Sequence, residues 1–161
     1  MTEDPHQITN NHAGDPDTEI PVESDPSHAA KSTTDPERVR NFAIDVARLL
    51  ADDKCEHVVV IDVREISQVA GYIVIGSGTS DRQMASALDN AQDLGKDKGF
   101  QSWRTSKDDR STWLLADFVD VVVHLFEPNT RAYYDLETMW GDGHRVEWKR
   151  ADHMKAGNDQ A

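Results

Sequence analysis

Residues 111–142 read STWLLADFVDVVVHLFEPNTRAYYDLETMWGD. The stretch holds two apolar β runs, about Thr112 to Ala116 and Asp120 to Phe126, broken by an acidic turn at Asp117-Phe118-Val119-Asp120. Pro128 then opens a short aromatic helix, which Gly141 closes. Two closely spaced strands followed by a helix place this segment in a sheet covered by helices. Three of the four tryptophans and all but one of the tyrosines lie between Trp113 and Trp148. Aromatics beside a few fixed charges are common in protein-binding surfaces, although they also build ordinary cores.

Upstream, Asp35 followed by Pro36 is a strong helix start, and Val39, Phe42, Ala43, Val46, Leu49 and Leu50 follow helical spacing to about Asp52. His57 to Val63 and Tyr72 to Ile75 are β-branched runs, apolar enough to be covered on both faces. Gly76-Ser77-Gly78-Thr79-Ser80 ends the second run and opens a helix. Ser80 and Gln83 stand at capping-box spacing, and Met84, Ala87, Leu88, Ala91 and Leu94 form the buried stripe. Gly95 and Gly99 mark that helix's end, and a short strand is expected around Phe100 to Arg104. The resulting order is α-β-β-α-β-β-β-α. It predicts an α/β fold with a mixed, partly antiparallel five-stranded sheet flanked by helices.

Composition divides the chain. Hydrophobic residues make up 37% of 161 residues, and mean hydropathy is −0.67. The deficit is local, since five of the six prolines fall in residues 1–36. The first 35 residues carry eight Asp/Glu and one Lys, and Asp-Pro recurs at positions 4, 15, 25 and 35. A segment so poor in apolar area cannot offset its ordering entropy. Residues 1–35 are therefore read as a disordered acidic tail, 36–148 as the folded domain and 149–161 as a polar C-terminal tail.

The charge of −13 disfavours backbone-driven nucleic-acid binding, which needs Lys and Arg to displace counterions. It suits a basic protein partner. No basic stretch followed by an apolar core argues for a secretory signal, and no run of about 18 apolar residues exists to span a membrane. A single Cys55 forms no internal disulfide or multi-thiolate metal site, and a reducing cytoplasm is the simplest setting.

Three groups of residues could carry chemistry. The Gly76–Ser80 loop has the strand-to-helix form of an anion cradle, but lacks a Gly-Lys-Ser/Thr ending and a three-glycine fingerprint. Its glycines serve equally for a tight turn. On a strand, Asp120, Val122, His124 and Phe126 share one face. Asp120 and His124, with Asp117 nearby, could act as general base or metal ligands, or form an exposed polar sheet face usable for docking. The third group is Arg131, Tyr133, Tyr134, Leu136, Glu137 and Trp140, of which Tyr133, Leu136, Glu137 and Trp140 lie at helical spacings, for docking or for packing the helix on the sheet. Cys55 has no basic helper nearby in sequence.

Asp117-Phe-Val-Asp-Val-Val-Val-His124, preceded by Trp113-Leu-Leu and followed by Arg131-Ala-Tyr-Tyr-Asp-Leu-Glu-Thr-Met-Trp-Gly-Asp142, closely resembles the ribosomal silencing factor family, RsfS/Iojap. Gly76-Ser-Gly-Thr-Ser-Asp-Arg-Gln83 resembles the family's strand-to-helix turn, and Val60-Ile-Asp-Val63 its first strand. The likeness runs over roughly residues 36–148. It implies a nucleotidyltransferase-like topology without the paired catalytic acids, and a protein that is not an enzyme and needs no cofactor. Members bind ribosomal protein fourteen of the large subunit, block the small subunit from joining and so repress translation. Relatives assist large-subunit assembly in organelles, and members dimerise. Joined to the residue reading, the resemblance implies a docking surface of Trp113, Leu115, Asp117, Asp120, His124, Tyr133, Glu137 and Trp140. The competing reading is a nucleotidyltransferase-like enzyme or nucleotide-binding module, with Gly76-Ser77 on phosphate and Asp117/Asp120 on Mg²⁺. One departure stands out. The family commonly has glycine where this chain has Val119, so the turn must avoid positive φ or Val119 is strained.

Overall fold

The computed structural model describes residues 35–151. The acidic segment before them, and the C-terminal residues after 151, lie outside the described residues.

Helix α1 (Pro36–Asp52) begins as its sequence directs: the Asp35 carboxylate accepts from Glu37 N–H at 3.0 Å, with proline in the first turn. Its stripe of Val39, Phe42, Ala43, Val46 and Leu50 is buried. Strands β1 (Glu56–Asp62) and β2 (Tyr72–Ser77) follow, then α2 (Asp81–Lys98). That helix opens on the expected Ser80 cap, with Gln83 reaching back one residue beyond it. Ser80 Oγ accepts from Gln83 N–H at 3.1 Å, and Gln83 Oε1 accepts from Thr79 N–H at 2.6 Å. It closes at Gly99, whose φ of 87° only glycine adopts readily. Strands β3 (Arg104–Lys107), β4 (Trp113–Asp117) and β5 (Val121–Phe126) lead into two short helices, α3 (Pro128–Tyr134) and α4 (Leu136–Met139). The two-residue strand β6 (His144–Arg145) ends the order.

The sheet runs β3-β4-β5-β2-β1-β6, with β2 and β5 parallel and the remaining pairs antiparallel. It is the mixed, helix-flanked sheet that the sequence predicts, with β6 added at the β1 edge as a sixth strand. Apolar residues on both faces make two cores. On one face α1 and α2 pack over Val58, Val60, Tyr72, Val74, Leu114, Ala116, Val121, Val123 and Leu125. The other face gathers Ile61, Val63, Ile73, Ile75 and Phe126 beneath Leu136 of α4, flanked by Trp113 and Trp140. The β-branched runs thus belong to strands covered on both sides.

Four local expectations change. The strand expected around Phe100 to Arg104 starts only at Arg104, because Phe100 is drawn into the helix layer. Its ring stacks on Phe42 with centroids 4.3 Å apart. Gly95 does not end α2 but lies within it, where a methyl group would overlap the Phe100 carbonyl and the Phe118 ring. It permits close packing rather than a turn. The last helix is broken at Asp135, which adopts φ 48° and ψ 55°. Aspartate tolerates that left-handed conformation better than most residues, so the break carries no glycine signal. Finally, the sheet face bearing His124 is not an exposed polar one, since His124 and Phe126 are both buried.

A candidate docking surface on the second sheet face

Alternation along β4 turns Trp113, Leu115 and Asp117 to one face, in register with Phe126, His124 and Val122 of β5. The Trp113 ring lies 5.0 Å from Phe126 and 4.6 Å from Tyr134, centroid to centroid. Its Nε1–H donates to His124 Nδ1 at 3.1 Å. With Nδ1 accepting, the proton of the neutral imidazole resides on Nε2. Burial drives the His124 pKa from 6.5 down to about 4, so the ring is uncharged at neutral pH. His124 is a structural acceptor that fixes Trp113.

The acid–histidine grouping that the sequence left open as an alternative does not assemble. Asp117 accepts from Val119 N–H at 2.8 Å, and its other oxygen lies 3.9 Å from Arg104 Nε. Asp120 contributes its backbone carbonyl, which accepts from Gly71 N–H and Tyr72 N–H at 2.8 and 3.0 Å and ties the turn to β2. Among the described residues no group of three or more His, Cys, Asp or Glu is placed to hold a metal.

Helix α3 is clamped from below by Arg131, which the sequence reading grouped with the aromatic helix without foreseeing its partners. Its guanidinium donates to Glu137 Oε1 through Nε at 3.0 Å and Nη2 at 2.6 Å, and through Nη1 to Ser77 Oγ at 2.8 Å. Glu137 therefore faces inward and locks α4 to α3 across the Asp135 break. Trp140 packs half-buried on the second core. What the clamp presents outward is Tyr133, 81% exposed, and Tyr134, 46% exposed, with rings 5.0 Å apart. Tyr134 joins this pair to Trp113. Asp108, read from sequence only as part of a charged loop, accepts from Thr112 N–H at 2.6 Å and Trp113 N–H at 3.0 Å, fixing the start of β4. Its signal was weak: an aspartate four residues before a threonine in a charged loop.

The turn joining β4 to β5 is strained. Val119 has φ 76°, and Asp120 N–H donates back to Phe118 O at 3.0 Å across it. That closes the rare positive-φ form of a three-residue turn on a β-branched residue. Strain of this kind costs about 1–3 kcal/mol, and glycine gives back about 0.5–1 kcal/mol through unfolded-state entropy. Val119→Gly should therefore raise the unfolding free energy by about 1 kcal/mol, or the midpoint by about 4 °C. Equal or lower stability on denaturant titration would mean that Val119 is not strained.

The Gly78 and Thr79 amides of the glycine–serine loop, and the Ser77 and Ser80 hydroxyls, are engaged within the chain. Gly78 N–H donates to Phe126 O, Thr79 N–H to Gln83 and Gln83 N–H to Ser80, while Ser77 Oγ receives Arg131. A phosphate there would have to displace the helix cap. Cys55 is buried, and desolvation first, then the charge of Asp53, pushes its thiol up to about 11, so it is no nucleophile at neutral pH. Among the described residues no helix is long and apolar enough to cross a membrane.

Comparison with known proteins agrees with this architecture. The family model described as ribosomal silencing factor during starvation (RsfS) matches residues 36–161. Ribosomal silencing factor RsfS of Bacillus subtilis is 38% identical over 98 residues, 60% of this chain and 83% of that protein. Its counterpart in Zymomonas mobilis is 33% identical over 120 residues, 73% of this chain and 88% of that protein. A crystal structure of a protein from Chromobacterium violaceum superposes with a TM-score of 0.60 at 25% identity, covering 73% of this chain and 95% of that one. A second, from Bacillus halodurans, gives 0.56 at 29% identity over 69% of this chain and 98% of that one. On the family match over residues 36–161 and these relatives, the chain belongs to the ribosomal silencing factor family, RsfS.

Proposed function

We propose that this protein represses translation by docking on the large ribosomal subunit through ribosomal protein fourteen, where its bulk keeps the small subunit from joining. It acts in the cytoplasm, as a steric block rather than an enzyme, and needs no cofactor. The observation that carries the reading is the pair of exposed tyrosines, Tyr133 and Tyr134, held on the Trp113–His124–Phe126 cluster by the Arg131 clamp. A rigid aromatic patch loses little side-chain entropy on binding, and tyrosine and tryptophan dominate binding hot spots. The acidic chain also suits a basic ribosomal protein, through faster encounter. Trp113, Leu115, His124 and Trp140 act as the footing of the surface, and Tyr133 and Tyr134 make the outward contact.

The test is gradient sedimentation of the full chain with purified ribosomal subunits. The wild-type protein should travel with the large subunit and reduce joined ribosomes when small subunits are added. Tyr134→Ala removes a hot-spot ring worth about 2 kcal/mol and should weaken binding about 30-fold. A Tyr134→Ala variant that still travels with large subunits at wild-type levels would show that the surface is misassigned.

A further inference from the structure

Beside the tyrosines lies a cleft of about 590 Å³ between the β3–β4 loop and the start of α3. One wall carries Asp108, Asp109 and Arg110; the other carries Glu127, Tyr133 and Tyr134. The lining thus holds three carboxylates, one guanidinium and two aromatic rings. The walls are pinned together at their base, where Glu127 N–H donates to Thr112 O at 2.8 Å. Two of the acids are already held in place. Asp108 accepts from Thr112 and Trp113, and Glu127 Oε2 accepts from Thr130 N–H and Oγ1 at 3.2 Å each. A carboxylate offers about four acceptor positions, so Glu127, engaged only through Oε2, retains capacity for another donor, while Asp108, which also accepts from Thr112 Oγ1, contributes mainly its charge. Because both side chains are already held by these bonds, ordering them for a ligand carries little further entropy loss.

We infer that this cleft receives a basic side chain, arginine or lysine, from the protein that docks on the Trp113–Tyr134 surface. Charge complementarity selects a cation, since the carboxylates outnumber Arg110. The tyrosine rings add a flat, electron-rich wall over which a guanidinium or ammonium stacks. The cleft shares Tyr134 with the docking surface, so one partner reaches both. The inference rests on the docking reading and adds to it the chemistry of the partner's contact. Asp109, Glu127 and Arg110 become determinants of partner choice, which neither motif likeness nor residue spacing had marked.

The experiment measures affinity for purified large subunits at low and at raised salt, using four forms of the full chain. Asp109→Asn with Glu127→Gln removes two charges while keeping side-chain shape and an acceptor for Thr130. This double variant should bind about tenfold more weakly at low salt, and approach the wild type as salt screens the exposed charges. Arg110→Gln removes the competing cation and should bind a few-fold more tightly. Tyr134→Ala reports on the docking surface itself. If the double variant and Arg110→Gln both match the wild type at low salt while Tyr134→Ala has lost binding, the cation site is wrong and the docking surface stands. If Tyr134→Ala also binds normally, or the wild type does not bind, the docking reading fails and the cation site with it.

Discussion

Trp148→Ala should lower the free energy of unfolding by about 3–5 kcal/mol, the usual range for removing a large buried aromatic. The indole is 8% exposed, and its Nε1–H donates to Val58 O at 3.0 Å. It anchors a strap along the β1 edge: Arg145 and His144 pair with Ile61 and Asp62, and Val146 N–H donates to Val60 O at 2.9 Å. Arg48 of α1 holds the strap from the helix side, its Nε donating to Trp148 O at 2.8 Å. Losing the indole opens a cavity under α1 and leaves the Val58 carbonyl without its partner. It also frees the strap to uncover the edge of β1, and exposed edges favour association between chains. Against a total of about 5–15 kcal/mol for a domain, the loss is a large fraction of stability. The melting midpoint should fall by more than about 10 °C. Trp148→Phe keeps most of the packing and loses one hydrogen bond, so it should cost only about 1–2 kcal/mol. If denaturant titration finds Trp148→Ala within about 1 kcal/mol of the wild type, residues 143–150 are not packed on the core as described.

The strap also shows where sequence reasoning stops. Trp148 stands among polar residues, and no periodicity ties it to a strand 90 positions earlier. Local rules did better where the cause was local. Asp35 with Pro36, and Ser80 with Gln83, announce helix starts because a cap is made by neighbours in the chain. The β-branched runs at 57–63 and 72–75 announce covered strands because burial on both faces leaves no polar alternation. Asp135 and Gly95 were unreadable for opposite reasons. A left-handed aspartate has no distinctive signature, and a glycine that permits packing looks like one that ends a helix.

The site was legible in part, and the limit is physical. A two-residue period says which side chains share a face, and Trp113, Leu115, Asp117 and His124 do share one. It does not say what covers that face. Tyr134, Leu136 and Trp140 close over it from helices whose break and clamp depend on Asp135, Arg131 and Ser77, brought together only by the fold. A face read as polar thus turns out to be half a core. The Val119 turn is the reverse case. The likeness to a family that places glycine there posed a choice between altered geometry and strain, and a φ of 76° decides for strain.

The buried histidine makes the fold sensitive to mild acid, in a window set by its own two pKa values. In the unfolded chain His124 titrates near 6.5; in the fold, burial lowers that to about 4. Between these values the unfolded state binds the additional proton, so stability rises with pH there and falls as pH drops. The difference of about 2.5 units corresponds to at most about 3 kcal/mol, developed from pH 6.5 downward and complete near pH 4. The carboxyl groups with shifted affinities act lower. Asp62, held below the usual range by its hydrogen bonds to Arg64, and Asp108, held down first by the Thr112 hydroxyl, lose their contribution only below about 3.8. The window from 6.5 to 4 therefore reports chiefly on His124. Protonation at Nδ1 would set two donors against each other, since Trp113 Nε1–H already points there. Acid should thus loosen Trp113, and with it Tyr134, before the chain unfolds. His124→Gln retains an acceptor for the indole but cannot titrate. Denaturant titrations from pH 7 to pH 4 should show the wild type losing about 2–3 kcal/mol and the variant clearly less. Parallel losses in the two proteins would mean that His124 is not buried in its neutral form, and would remove the argument that it serves as the fixed acceptor under Trp113.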